Sequence, residues 1–117
     1  MSIVRRKTDD QISIREHAFG GSGKMTGYKI LNPDEMMQKG RLFNHCMLGK
    51  GDEVAWHVHS GDGEAYYILK GKATYSDNGA MTELLPGDMS MVYPGEGHSI
   101  RNDQDEPLEF IALILFE

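Results

Sequence analysis

From Arg41 to the end of the chain, turn-forming residues break up the apolar segments at intervals of about ten residues, the spacing of a sandwich or barrel of short strands. The breaks are Gly49-Lys50-Gly51, Ser60-Gly61-Asp62-Gly63, Lys70-Gly71-Lys72, Asp77-Asn78-Gly79, Pro86-Gly87-Asp88, Pro94-Gly95 and the polar bend at 102–107. Strands are expected between them over 41–48, 54–59, 64–69, 73–76, 81–85, 89–93, 97–101 and 108–116. Asn78-Gly79 inside its break is the strongest local hairpin signal in the chain. With 14 glycines in 117 residues, tight turns fit better than long helices, and the length allows one domain.

The N-terminal third is less regular. Residues 1–19 mix charge with apolar alternation, as edge strands or an exchanged arm do, and Gly20-Gly21-Ser22-Gly23 reads as a flexible loop, disordered or lying across a pocket mouth. We therefore divide the chain into an arm and loop over 1–24, part of the same unit, and a barrel over 25–117. A short strand is expected over 28–31. Asn32-Pro33-Asp34-Glu35 has the form of a helix start, so one short helix is expected through 39, ended by Gly40, with Met36 and Met37 as core contacts.

Twelve basic against eighteen acidic residues give a formal net charge of −6, which disfavours nucleic acid and anionic lipid as partners. The single cysteine, Cys46, allows no intrachain disulfide. The N-terminal MSIVRRKTDD has no apolar signal core and no run reaches bilayer length, so a cytoplasmic protein is expected.

Chemistry concentrates between Gly51 and Gly71. Residues i and i+2 of a strand point the same way, so His57 and His59 can offer both imidazoles to one point. The following turn can swing Glu64 back toward it, and His98 opens a later strand after a Gly/Pro turn. The bland alternative scatters these residues for unrelated reasons, but burying them together without a cation is costly. Three neutral imidazoles and a carboxylate suit iron, manganese or nickel, with zinc and copper still open.

These residues also carry a resemblance. Gly51, five residues, His57-x-His59, four residues, Glu64, six residues and Gly71 resemble the first signature of the cupin superfamily. The segment from Gly87 through Gly95 and His98 to Asn102 resembles the second, with Tyr93 at the usual proline position and the proline moved to Pro94. The resemblance implies an all-β cupin jelly roll, a double-stranded β-barrel, with His57, His59, Glu64 and His98 as ligands to one divalent metal, and a homodimer. It also implies that one face of the 41–48 strand, with Asn44, Cys46 and Leu48, and one face of the last strand, with Phe110, Ala112 and Ile114, line the pocket. Ile111, Leu113 and Leu115 then pack outward.

Tyr66 and Ile68 share parity with Glu64 and are expected inside, Tyr66 as a proton donor or as an aromatic core filler. Asn102 reads as a turn residue, His17 and His45 as surface or packing residues, and Trp56 as packing. The functional expectation is a metal-dependent enzyme of dioxygenase, isomerase or lyase type. Its substrate would be a small oxo acid, dicarbonyl or sugar-derived molecule. The alternative is a non-catalytic module binding a metabolite or metal ion.

Overall fold

In the structure, a computed structural model describing residues 2–117, the turns fall where glycine and asparagine can take positive φ. Met1, the first residue of the N-terminal arm, lies outside the described residues. Ten strands follow in chain order: β1 (Ile12–Glu16), β2 (Lys24–Leu31), β3 (Gly40–Leu48), β4 (Glu53–Val58), β5 (Asp62–Lys70), β6 (Ala73–Asp77), β7 (Ala80–Leu84), β8 (Met89–Val92), β9 (Gly97–Arg101) and β10 (Leu108–Phe116). They form a six-stranded sheet in the order β1-β2-β3-β10-β5-β8 and a four-stranded sheet in the order β4-β9-β6-β7, a jelly-roll β-barrel. β6 and β7 meet through Asn78-Gly79, both at positive φ, as a two-residue hairpin turn requires.

Three local expectations need correction. The helix over 33–39 is a single 3-10 turn, Pro33–Glu35, although the Glu35 carboxylate accepts the Asn32 N–H at 2.7 Å as a helix start should. Met37 and Gln38 then turn to φ of 56° and 61°, which ends any helix. Only one methionine of the pair therefore reaches the core: Met36 is buried and Met37 is 79% exposed. β5 also begins two residues earlier than the turn chemistry implied, so Asp62 is a strand residue whose side chain faces inward with Glu64 and Tyr66.

The core is the inner face of both sheets, with Cys46, Leu48, Tyr66, Ile68, Leu108, Phe110 and Ala112 from one and Val54, Ala73, Tyr75, Leu84 and Ile100 from the other. Burying each large apolar side chain contributes about 1.5–3 kcal/mol. The register orders this interior along the barrel. β10 matches Leu108 to Leu48 at one end and Ile114 to Leu42 and Glu64 at the other, with Phe110 against Cys46 and Ile68 between. The apolar end is closed by packing, which leaves the ionisable groups at the Ile114 end. Among the described residues no helix is long and apolar enough to cross a membrane.

The two adjacent methionines offer a test of this assignment. Met36→Ala should cost about 2–3 kcal/mol of unfolding free energy, as removal of a buried methionine does. Met37→Ala should stay within about 0.5 kcal/mol, as exposed substitutions do. Urea denaturation followed by tryptophan fluorescence reads both.

Candidate metal centre

Four ionisable side chains from three strands, drawn from both sheets, converge at the Ile114 end. β4 supplies His57, the residue just past β4 is His59, β5 supplies Glu64 and β9 supplies His98. All four are buried, and one ligand atom from each lies within 4.8 Å of the others. A register shift between Val54 and His57 on β4 makes this possible. Val54 and His57 both face inward although three positions apart, and the irregularity brings His57 directly opposite His98. Trp56, 47% exposed, covers Gly97 so closely that a Cβ there would meet the indole at 2.4 Å.

The turn before His98 survives the displaced proline. Glu96 N–H donates to the Tyr93 carbonyl at 3.0 Å, with Pro94 and Gly95 as the central residues and Gly95 at φ of 90°. Proline then glycine is the order a type II turn prefers. Asn102 is buried at the far end of β9, where its amide donates to the carbonyls of Leu48 and Glu106 and its oxygen accepts the Gln104 N–H.

Each imidazole is oriented through Nδ1. His57 Nδ1 lies 2.8 Å from the Ala55 carbonyl, His59 Nδ1 lies 2.7 Å from Asp62 Oδ1, and His98 Nδ1 lies 3.0 Å from the Tyr75 hydroxyl. A carbonyl and a carboxylate only accept, so His57 and His59 carry their proton on Nδ1 and turn a bare Nε2 inward. His59 Nε2 then faces Glu64 Oε1 at 3.1 Å, acceptor against acceptor. Such a contact is favourable only with a positive charge at the centre, either an extra proton or a metal ion. The His98 Nε2 stands 3.0 Å from His57 Nε2 and 3.1 Å from Glu64 Oε1. An ion with bonds of about 2.1 Å and ligands at right angles sets neighbouring donors roughly 3.0 Å apart, so these residues fit a transition metal.

The electrostatics agree. Burial alone would raise the Glu64 carboxyl, but its close polar contacts with the imidazoles of His57, His59 and His98 outweigh burial and hold it well below the usual range. His59 is raised by its hydrogen bond to Glu64, against its burial and with help from Asp62, whereas burial lowers His98. Burial and then the charge of Glu64 push the Cys46 thiol up to about 12 and the Tyr66 hydroxyl well above its ordinary value. Both stay protonated beside the site. Tyr66 stacks on His98, with ring centroids 4.8 Å apart and planes at 8°.

A cavity of about 60 Å³ opens onto His57, His59, Glu64 and Tyr66. Cys46, Phe110, Ala112 and Ile114 line it as expected from their faces. Asn44, Leu48 and Ile68 do not, and this corrects the sequence reading. The resemblance implied Asn44 and Leu48 there and strand parity implied Ile68, but Leu48 and Ile68 sit toward the closed end, and the Asn44 amide nitrogen lies beside Gly27 on β2. His17 hydrogen-bonds to the Gly21 carbonyl and His45 pairs with Glu109, both away from the cluster.

Several contributors had no reading in the sequence. Asp62 orients His59 and is itself held by Arg41 Nε at 2.9 Å. Its signal was parity with Glu64, hidden by its place in a Gly-rich turn. Tyr75 had none. Phe19 stacks on His57 at 4.1 Å and 9°, carried there by the segment before Gly20. The Gly20–Gly23 loop is tied to the barrel, with Ser22 Oγ donating to the Gly51 carbonyl at 2.6 Å and Glu53 N–H to the Ser22 carbonyl.

Because Asp62 holds His59 and leaves the other ring positions untouched, Asp62→Asn should weaken metal binding by about 10- to 100-fold with the fold intact. Competition against a chelating dye, with circular dichroism as control, measures it.

The comparisons with known proteins agree with this geometry. The family model described as a Cupin domain matches residues 44–114. An oxalate-binding protein of Thermotoga maritima is 38% identical over 96 residues, covering 82% of this chain and 79% of the relative. The crystal structure of a predicted oxalate decarboxylase from Thermotoga maritima superposes with a TM-score of 0.92 at 34% identity, covering 98% of this chain and all of the other. A cupin-superfamily sugar phosphate isomerase from Silicibacter pomeroyi, at 19% identity and a TM-score of 0.73 over 97% of this chain and 76% of its own, shares the fold. With both signatures folded into one jelly roll and the family model matched over more than half its length, this chain belongs to the cupin family.

Proposed function

We propose that this protein binds one divalent transition metal through His57, His59, Glu64 and His98 and uses it to hold a small dicarboxylate of the oxalate type. The observation that carries the reading is the His59 ring, protonated toward Asp62 and facing the Glu64 carboxylate with a bare nitrogen. A carboxylate among the ligands favours iron, manganese or nickel over zinc or copper. Four protein ligands on an octahedral ion leave two positions for a chelating ligand, and the bound metal would supply Lewis-acid attraction for its oxygens. The cavity has room for a handful of heavy atoms, given that one water needs about 10–15 Å³. The likeness to an oxalate-binding protein supports the same ligand.

Holding the ligand fits the pocket better than turning it over. Besides the metal ligands, the titratable groups lining the cavity are Cys46 and Tyr66, both kept protonated, and the guanidinium groups of Arg15 and Arg41. None is a general base at neutral pH. A second reading rests on Tyr66, placed against His98 as a proton source. There, decarboxylation of oxalate would break the carbon–carbon bond, release carbon dioxide and protonate the remaining carbon to formate.

Protein purified without chelator should contain about one transition metal ion per chain, and His98→Ala should remove it. Added oxalate should raise the melting temperature of the metal-loaded protein and leave the metal-free protein unchanged, because only the native loaded state binds it. No formate should form. Formate release that disappears in Tyr66→Phe with metal content intact would establish the enzyme reading instead.

The outer face of the larger sheet supports a homodimer. Phe43 on β3 lies opposite Leu113 on β10 and Ile111 lies opposite Tyr67 of β5, with Met47 and Leu69 nearby and the His45–Glu109 pair among them; Tyr67 and Leu69 are 49% and 42% exposed. A largely apolar sheet face of this kind, whose one ion pair is internally satisfied, is ordinarily covered. Light scattering at micromolar concentration should give twice the 13.1 kDa chain mass, and Ile111→Glu should return it to one chain.

A further inference from the structure

The cavity wall is apolar except at its mouth. Away from the metal ligands, the Tyr66 hydroxyl and the weakly donating Cys46 thiol, Met25, Leu42, Val54, Phe110 and Ile114 offer no hydrogen bond, so among the lining residues a charged end of a ligand projecting from the metal can be met by Arg15 and Arg41. They reach the cavity from different strands. Arg15 lies on β1, opposite Met25 of β2, and Arg41 lies near the start of β3.

Each guanidinium has one fixed contact and donors to spare. The Arg41 Nε donates to Asp62 Oδ2 at 2.9 Å, and among the described residues its terminal nitrogens meet no protein acceptor. Arg15 lies over the Phe19 ring, 4.4 Å from its centroid, and that ring lies 4.1 Å from the His57 imidazole and nearly parallel to it. The three groups form one stack, guanidinium on phenyl on imidazole, so Arg15 is set two layers out from a metal ligand. Phe19 holds this place at φ of 54°, a left-handed conformation unfavourable for a bulky residue and associated with functional positions.

We infer that Arg15 and Arg41 are the specificity-determining residues of this pocket and select a dianion over a monoanion, by binding the oxygens of the ligand that face away from the metal. The inference rests on the proposed metal-dependent carboxylate binding. Charge balance supports it. Asp62 offsets Arg41, and Glu64 offsets half of a divalent cation, so the remaining metal charge and Arg15 leave two positive charges for the ligand to neutralise. A monoanion leaves one of them to water, so the dianion gains one more charge-assisted contact. The chain as a whole carries −6, so the positive mouth is local and also draws small anions inward.

The test compares two chelators of the same length on manganese-loaded protein by calorimetry. Oxalate has two carboxylates and glycolate has one carboxylate and a hydroxyl. Wild-type protein should prefer oxalate, and Arg15→Gln should weaken oxalate by about 10- to 100-fold, the loss expected for a charge-assisted hydrogen bond. Glycolate, which keeps one distal carboxylate oxygen where oxalate keeps two, should weaken clearly less, and manganese content should not change. Arg15 is exposed on β1, so the variant should fold, and circular dichroism checks it. Phe19→Leu, which removes the platform and keeps an apolar cover, should reduce the oxalate preference in the same direction. Equal weakening of both ligands, or no change in either, would overturn the assignment of selectivity while leaving metal-dependent binding in place. If loaded wild-type protein binds neither ligand, the proposed function fails and this inference falls with it.

Discussion

His59 stands between two carboxylates, and the rest of the site is arranged around that position. Asp62 accepts a hydrogen bond from Nδ1–H at 2.7 Å, and Glu64 meets Nε2 at 3.1 Å on the other side. With one proton on the ring, only one of these contacts is a hydrogen bond. The second needs a positive charge, and in the absence of metal the protein supplies it by raising the affinity of His59 for a proton. A metal ion held by these four residues would take the place of that proton and satisfy His57, Glu64 and His98 at once, so binding should be coupled to proton release. Burial makes the choice sharp, because at 4–8% exposure or less none of the four side chains has much water to turn to.

This arrangement also explains why a jelly roll serves. The candidate ligands come from β4 and β9 of one sheet and β5 of the other, so an ion held there would join the two halves of the barrel across its open end. The opposite end is closed by Leu48, Leu108, Ile100 and Ile68 and needs no such link. One end of the interior thus provides apolar burial, and the other is free to hold groups that are unfavourable to bury until an ion arrives. Stability should depend on metal activity for the same reason.

Much of this was legible because turns and ligand spacing are local. The glycine-rich breaks placed eight strands to within a few residues, and Asn78-Gly79 specified its hairpin. His57, His59, Glu64 and His98 were found together by their spacing and its resemblance to the two cupin signatures. What escaped depends on contacts distant in sequence. Parity alone could not tell Cys46 and Phe110, which reach the cavity, from Leu48 and Ile68, which lie toward the closed end. That difference is set by the register of β10 against its neighbours. The shift on β4 that faces both Val54 and His57 inward has no signal in its residue types. Asp62 was read as a turn residue because glycines flank it, although its strand begins there. The asparagine and proline before Met36 do start a helical turn, but nothing in Met37-Gln38 announces that both residues turn left-handed.

Phe19 shows how a distant segment can complete a site. A phenylalanine at positive φ carries about 1–3 kcal/mol of strain, which persists only where surrounding contacts fix it. Here the fixing contacts are His57 beneath the ring and Arg15 above it. The neighbouring backbone is also held, with His17 N–H donating to the Gly23 carbonyl at 2.9 Å and Gly21 N–H to that of Ala18 at 3.0 Å. Of the three histidines, His57 alone is oriented by a backbone carbonyl two residues away, where His59 has a carboxylate and His98 a tyrosine. A single bond to a ring edge leaves the imidazole free to rock about it, and a flat face at 4.1 Å removes that freedom. The strained loop therefore does for His57 what side-chain partners do for the other two rings, and orders the ligand set before the ion binds.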